Sequence, residues 1–128
     1  ISKEKLESCI NSDLANNYGN LCQRVISFNE KNCNLSIPKK SSFNQDDLKQ
    51  LDNFKNNFDK LIDYIDNQDL NSYMNFIVES LFAANKYFND LEPWSVKKKD
   101  PERMRVILFT ICEQIKNISI FFNKNFKY

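Results

Sequence analysis

The sequence predicts an all-α protein, an antiparallel helix bundle with four main helices. Three observations carry that expectation. Apolar residues recur at gaps of three, four or one along most of the chain, the 128 residues include a single glycine, and no stretch alternates apolar and polar residues as a half-buried strand does. The length suits one domain, so residues 1–128 are read as a single helical unit with a real core.

Each helix has its own justification. Leu14, Tyr18, Leu21, Cys22, Val25 and Phe28 form one apolar stripe, which predicts a first helix over about residues 12–33. The segment NCNLSIPKKSSFNQ is polar, contains Pro38 and reads as a connector. Asn44 ahead of Gln45, Asp46 and Asp47 has the features of an N-cap with acids in the first turn. A second helix then carries Leu48, Leu51, Phe54, Phe58, Leu61 and Ile65. Asp69 can cap a third, with Leu70, Met74, Ile77, Leu81, Ala84 and Phe88 on its stripe. The fourth start is the clearest: Asp100 as N-cap, Pro101 at the first helical position and Glu102 next, followed by Met104, Leu108, Ile111, Ile115, Ile118 and Phe122. Short connectors make neighbouring helices antiparallel.

Composition then restricts function. Eighteen Lys and Arg against 17 Asp and Glu leave a net charge of +1, so a nucleic-acid partner has to be engaged locally rather than by a broad basic surface. No apolar run approaches the ~20 residues of a bilayer crossing, and residues 1–10 are charged without the apolar segment of a signal peptide. The expectation is a soluble, cytoplasmic chain with no membrane partner. Cys9, Cys22, Cys33 and Cys112 include no Cys-x-x-Cys pair, and histidine is absent, which argues against a metal site. Reduced structural cysteines are the expectation, although their even number keeps a disulfide framework conceivable. Without histidine the commonest general base is missing, and no catalytic residue is assigned.

Most of the 11 phenylalanines and five tyrosines sit at helical spacing and read as core. Trp94, the single tryptophan, lies outside those stripes in a polar connector. It admits two readings: a lid over the end of the bundle with its indole N–H on a backbone carbonyl, or a stacking platform for a base, held by Pro93, which restricts its own φ and the conformation of Glu92. On the first helix Asp13, Asn16, Asn20 and Arg24 are spaced by three, four and four and share one side. Two amides and a guanidinium can read base edges or phosphate, and unpaired RNA loops are read by such groups; an ordinary solvated face has the same spacing. Lys97, Lys98 and Lys99 are either a solvated run or a phosphate-attracting group near the fourth helix.

The blocks DLANNYGNLCQRVISF and LFAANKYFNDLEPWSVKKKDPERM together resemble the C-terminal anticodon-binding domain of bacterial-type methionyl-tRNA synthetases, class I aminoacyl-tRNA synthetases, over about residues 10–118. The EPW, the lysines after it and DPER are the specific part. The resemblance implies a helical bundle that binds the CAU anticodon loop of methionine and initiator tRNAs. Trp94 with Pro93 would stack on an anticodon base, and Asn20 and Arg24 would help read the first anticodon position. Asp13, Asn16, Lys97 and Lys98 are carried as further tRNA contacts. The signatures of the class I catalytic half are absent, so no cofactor is expected here. A full-length enzyme would use ATP in a catalytic domain that this chain lacks. The family usually continues past the fourth helix, whereas this sequence stops at Tyr128. The chain is therefore expected to be an excised domain or the product of a shortened gene, with the missing catalytic domain as a further partner. An alternative of a different class is a helical protein-interaction module derived from a shortened synthetase.

Overall fold

The computed structural model describes residues 16–29 and 40–125. Helix α1 covers residues 16–29, and a single 3-10 turn occupies Lys40–Ser42. There follow α2 (Gln45–Asn56), α3 (Phe58–Asp66), α4 (Leu70–Leu91), α5 (Pro93–Lys99) and α6 (Pro101–Asn125), with no strand among the described residues. The chain is an all-α bundle, as its periodicity predicts.

The cap residues act as their chemistry requires. Asn44 and Asp47 form a reciprocal capping box: the Asp47 N–H donates to Asn44 Oδ1 and the Asn44 N–H donates to Asp47 Oδ2, both at 3.0 Å. Asp69 Oδ1 accepts from the Ser72 N–H at 3.1 Å, and Asp100 Oδ1 accepts from the Arg103 N–H at 3.1 Å. Pro101 takes the first position of α6, where the missing N–H costs nothing.

Helix α6 is the spine, with α2, α4 and α5 packed against it. Cross-helix hydrogen bonds fix the directions. The Tyr73 hydroxyl near the start of α4 reaches the Phe121 carbonyl near the end of α6 at 2.8 Å, so these two helices are antiparallel. Helix α1 also runs against α6, since Tyr18 pairs with Ser119 while Asn29 Nδ2 donates to Cys112 Sγ at 3.3 Å. Helix α2 runs against α4: Asn53 Nδ2 donates to Ser80 Oγ at 2.9 Å, and Tyr87 bonds Asp47 farther along. The core between them holds Leu21, Leu61, Tyr73, Ile77, Leu81, Phe88, Leu108, Ile111 and Ile118.

The second predicted helix differs from the expectation. It is broken at Asn57, whose side chain donates to the Asn53 carbonyl at 2.7 Å and whose backbone has φ −110° and ψ 11°. Phe54 and Leu61 reach the core, whereas Leu48, Phe58 and Ile65 are exposed. Leu70 at the start of the third stripe is exposed as well. Cys22 and Cys112 are free thiols, and burial pushes the Cys112 thiol up from its ordinary value. Cys9, Cys33, Leu14, Pro38 and the predicted outer ends of the first helix lie outside the described residues.

Candidate functional site

The segment predicted as a polar connector is itself a short helix. Helix α4 ends at Glu92, which adopts a left-handed conformation, φ 42° and ψ 65°, directly before Pro93. A non-glycine residue there is strained by about 1–2 kcal/mol, and the strain turns the chain sharply into α5. The Glu92 carbonyl then accepts from the N–H groups of Ser95 at 2.8 Å and Val96 at 3.1 Å. Pro93 is the first residue of α5 and is buried. At the far end the Asp100 N–H donates to the Val96 carbonyl at 2.8 Å before α6 begins. Helix α5 is thus a seven-residue shelf pinned at both ends and packed on α6.

Trp94 stands on that shelf with 43% of its surface exposed. Its ring lies 5.6 Å from that of Phe88, at an interplanar angle of 67°. Phe88 is fully buried and also meets Phe28 edge to face, with centroids 6.5 Å apart. The Arg24 guanidinium lies 5.3 Å from the Phe88 centroid, and its Nη2 donates to Asn89 Oδ1. Gln23, Arg24, Ser27, Phe28, Phe88 and Trp94 line an open slot of about 390 Å³. Its contents are an exposed aromatic platform, an aromatic floor and polar groups along one wall.

Behind the slot lies a closed polar knot. Asp47 has no exposed surface, and Arg103 grips it with both arms of its guanidinium, Nη1 to Oδ2 at 2.5 Å and Nη2 to Oδ1 at 3.1 Å. The Tyr87 hydroxyl donates to Oδ1 at 2.5 Å. Burial pushes the Asp47 carboxyl up, but the hydrogen bonds from Arg103, Tyr87 and the Asn44 backbone outweigh it, and the group is held below the ordinary carboxylate range. Burial and the Asp47 hydrogen bond push the Tyr87 phenol up, so it remains a donor. Tyr87 and Phe88 are consecutive residues of α4, one facing the knot and the other flooring the slot. The knot therefore fixes the turn of α4 from which the slot is built.

The predicted site residues separate in this frame. Trp94 and Arg24 meet at Phe88, with Pro93 buried beneath the shelf. Asn20 is exposed one turn before Arg24 and is not among the residues lining the slot; Asn16 is exposed a further turn away. Asp13 lies outside the described residues. Lys97 and Lys98, with Lys99, occupy the last turn of α5, all exposed, where they complement the carbonyl end of that helix. No hydrogen bond from the Trp94 indole N–H to a described residue accompanies its packing. Sequence reasoning read Phe88 as core only, and it did not find Asn89, Gln23, Ser27 or the Asp47–Arg103–Tyr87 knot. The arginine of DPER was visible, but its partner is 56 residues away, and no local spacing announces such a pair.

No family model matches the chain. It is 34% identical over 119 residues to the methionine-tRNA ligase of Brucella suis, a match covering 93% of this chain and 23% of that protein. The methionine-tRNA ligase of Mycobacterium leprae is likewise 34% identical, over 90% of this chain and 22% of its own length. In fold the chain is similar to the apo form of Mycobacterium tuberculosis methionyl-tRNA synthetase, with a TM-score of 0.79, 30% identity, and coverage of 96% of this chain and 26% of that one. The structure of the same synthetase with methionyl-adenylate gives a TM-score of 0.79 at 29% identity. The chain thus spans about a quarter of the length of the relatives it matches, and it is similar to their C-terminal part. Among the described residues no helix is long and apolar enough to cross a membrane.

Proposed function

We propose that this chain, similar in sequence and fold to the C-terminal part of methionyl-tRNA synthetases, is an anticodon-recognition module for methionine and initiator tRNAs with the CAU anticodon. The observation that carries the reading is the slot: a half-exposed indole braced on Phe88 beside a guanidinium. An unpaired base laid on Trp94 gains stacking whatever its identity, worth about 1–3 kcal/mol. Arg24 supplies directed donors next to it, and Asn20, one turn earlier on α1, extends the hydrogen-bonding edge beyond the slot. Lys97 and Lys98 lie on the same shelf as Trp94 and would favour a phosphate without regard to sequence. The module contributes binding and no chemistry; methionine activation with ATP belongs to a catalytic domain outside this chain.

The test uses RNA hairpins carrying the anticodon loop, with cytosine or uracil at the first anticodon position. Trp94→Ala weakens both hairpins, by the stacking amount above. Asn20→Ala and Arg24→Lys lower the cytosine hairpin more than the uracil one, because lysine keeps the charge but loses the planar fork. Equal affinities of the unmodified chain and Trp94→Ala for both hairpins sink the reading.

A second reading, a helical protein-interaction module, is favoured by one observation. Phe58, Ile62 and Ile65, at positions i, i+4 and i+7, expose an apolar face on α3. Polar substitution of that face leaves hairpin binding unchanged if the slot is the working surface.

A further inference from the structure

The slot holds hydrogen-bonding groups that no residue of the bundle uses. Gln23 and Ser27, one turn apart on α1, both line it and are both exposed, and neither has a hydrogen-bond partner among the described residues. Arg24 between them is partly committed: one Nη donates to Asn89, and its charge rests on the Phe88 ring. Asn20 does not line the slot. The capacity left facing Trp94 is therefore the Gln23 amide, the Ser27 hydroxyl and the remaining N–H groups of Arg24. Solvated glutamines are common on helices, but this one borders the same recess as a half-exposed tryptophan over an aromatic floor.

These groups differ in what they offer. A guanidinium only donates, whereas a primary amide also carries an acceptor oxygen. The N–H dipoles of Arg24 favour the amide oxygen of the neighbouring residue turned toward the same recess. A base stacked on Trp94 would then meet donors from Arg24 and an acceptor from Gln23. Cytosine fits that pattern, since its ring nitrogen and carbonyl accept while its exocyclic amino group donates. Uracil reverses the polarity at two adjacent positions, bringing an N–H against the donors and a carbonyl against the acceptor.

We infer that Gln23 is a specificity-determining residue of the slot, accepting a hydrogen bond from the amino group of an unpaired cytosine while Arg24 donates to the acceptors beside it. This rests on the anticodon reading above and adds to it a residue and a polarity. Ser27, with its single short hydroxyl one turn along, borders the same nucleotide without the reach to meet the base edge.

Trp94 is the single tryptophan, so its fluorescence reports occupation of the slot directly. The 128-residue chain is titrated with two RNA hairpins that differ only in cytosine or uracil at the first anticodon position. Gln23→Leu should cut the cytosine preference about 10-fold, the effect of one unmade directed hydrogen bond, with little change for uracil. Gln23→Glu keeps an acceptor and adds a negative charge; it should weaken both hairpins alike and retain the preference. Gln23 is exposed, and unchanged helical circular dichroism establishes that both variants fold. A full cytosine preference in Gln23→Leu, or its loss in Gln23→Glu, overturns the assignment of Gln23 while leaving the anticodon reading in place. Failure of the unmodified chain to bind either hairpin overturns both.

Discussion

The knot at Asp47 and the slot at Trp94 are assembled from similar parts, an arginine and aromatic side chains meeting at the end of α4, yet they are opposites in saturation. In the knot Asp47 is wholly buried and receives the Arg103 fork, the Tyr87 hydroxyl and the Asn44 N–H. In the slot Trp94 is 43% exposed, Arg24 spends one arm on Asn89, and Gln23 and Ser27 have no partner among the described residues. Saturation holds a fold together and leaves nothing for a ligand. Unused polarity beside an exposed ring adds little to the fold and suits a ligand that completes it. Since Tyr87 and Phe88 are neighbours on α4, the rigid half sets the geometry of the open half.

The largest way to break this contrast is Arg103→Met. It leaves Asp47 buried without its cation, and removing one partner of a buried pair costs about 3–5 kcal/mol; Arg24→Ala, at the exposed slot, should cost well under half of that. Urea unfolding of the two variants measures the difference. The pH dependence follows from the depressed carboxyl. Because the folded value of Asp47 lies below the unfolded one of about 3.9, its stabilisation is fully present above roughly pH 4 and is lost as pH falls through the folded value. The deficit of Arg103→Met relative to the unmodified chain should therefore shrink as pH is lowered from about 5 toward 2, because the protonated acid no longer needs the cation. A deficit constant over that range would mean that Arg103 stabilises through packing alone.

Next in size is the comparison of Leu81 with Trp94. Leu81 is 1% exposed at the centre of α4, and Leu81→Ala should cost about 2–5 kcal/mol. Trp94→Ala should cost roughly 1 kcal/mol, since about half of its surface is already in water and its ring meets Phe88 in a T-shaped contact. Similar urea midpoints for the two variants would make Trp94 a core residue and remove the platform.

Periodicity and capping were legible in the sequence because they are local. Asn44, Asp69 and Asp100 cap the helices they were read to cap, and Met74, Ile77, Leu81 and Phe88 lie on a buried stripe. The second predicted helix failed at Asn57, where one side chain bonding back to the carbonyl four residues earlier ended the helix. Trp94 stood out because it broke the periodicity, and Arg24 because it shared a face with amides. Phe88, Asn89 and Gln23 could not be singled out, since their importance depends on which helices become neighbours. Asp47 looked like an ordinary first-turn acid. Its burial depends on Arg103 and Tyr87, which arrive from α6 and α4.

The smallest effect, and the sharpest for the link between the two regions, is expected at Glu92. Its side chain makes no capping hydrogen bond and is exposed, so the left-handed backbone is the main thing that a substitution there changes. Glycine relieves about 1–2 kcal/mol of strain but loses about 0.5–1 kcal/mol through the freer unfolded chain. Glu92→Gly should accordingly stabilise the bundle by no more than about 1.5 kcal/mol. Alanine keeps the Cβ and hence the strain, so Glu92→Ala should change neither stability nor binding. Hairpin affinity is where the two should part. If the strained turn holds α5 in one orientation, glycine frees the shelf, and part of the stacking energy goes into fixing it again on binding, a loss of about two- to threefold. Stability that rises while affinity falls is the expected signature in Glu92→Gly. Affinity that follows stability upward would mean that Pro93 and the packing on α6 orient Trp94 by themselves, with the turn at Glu92 serving only to connect two helices.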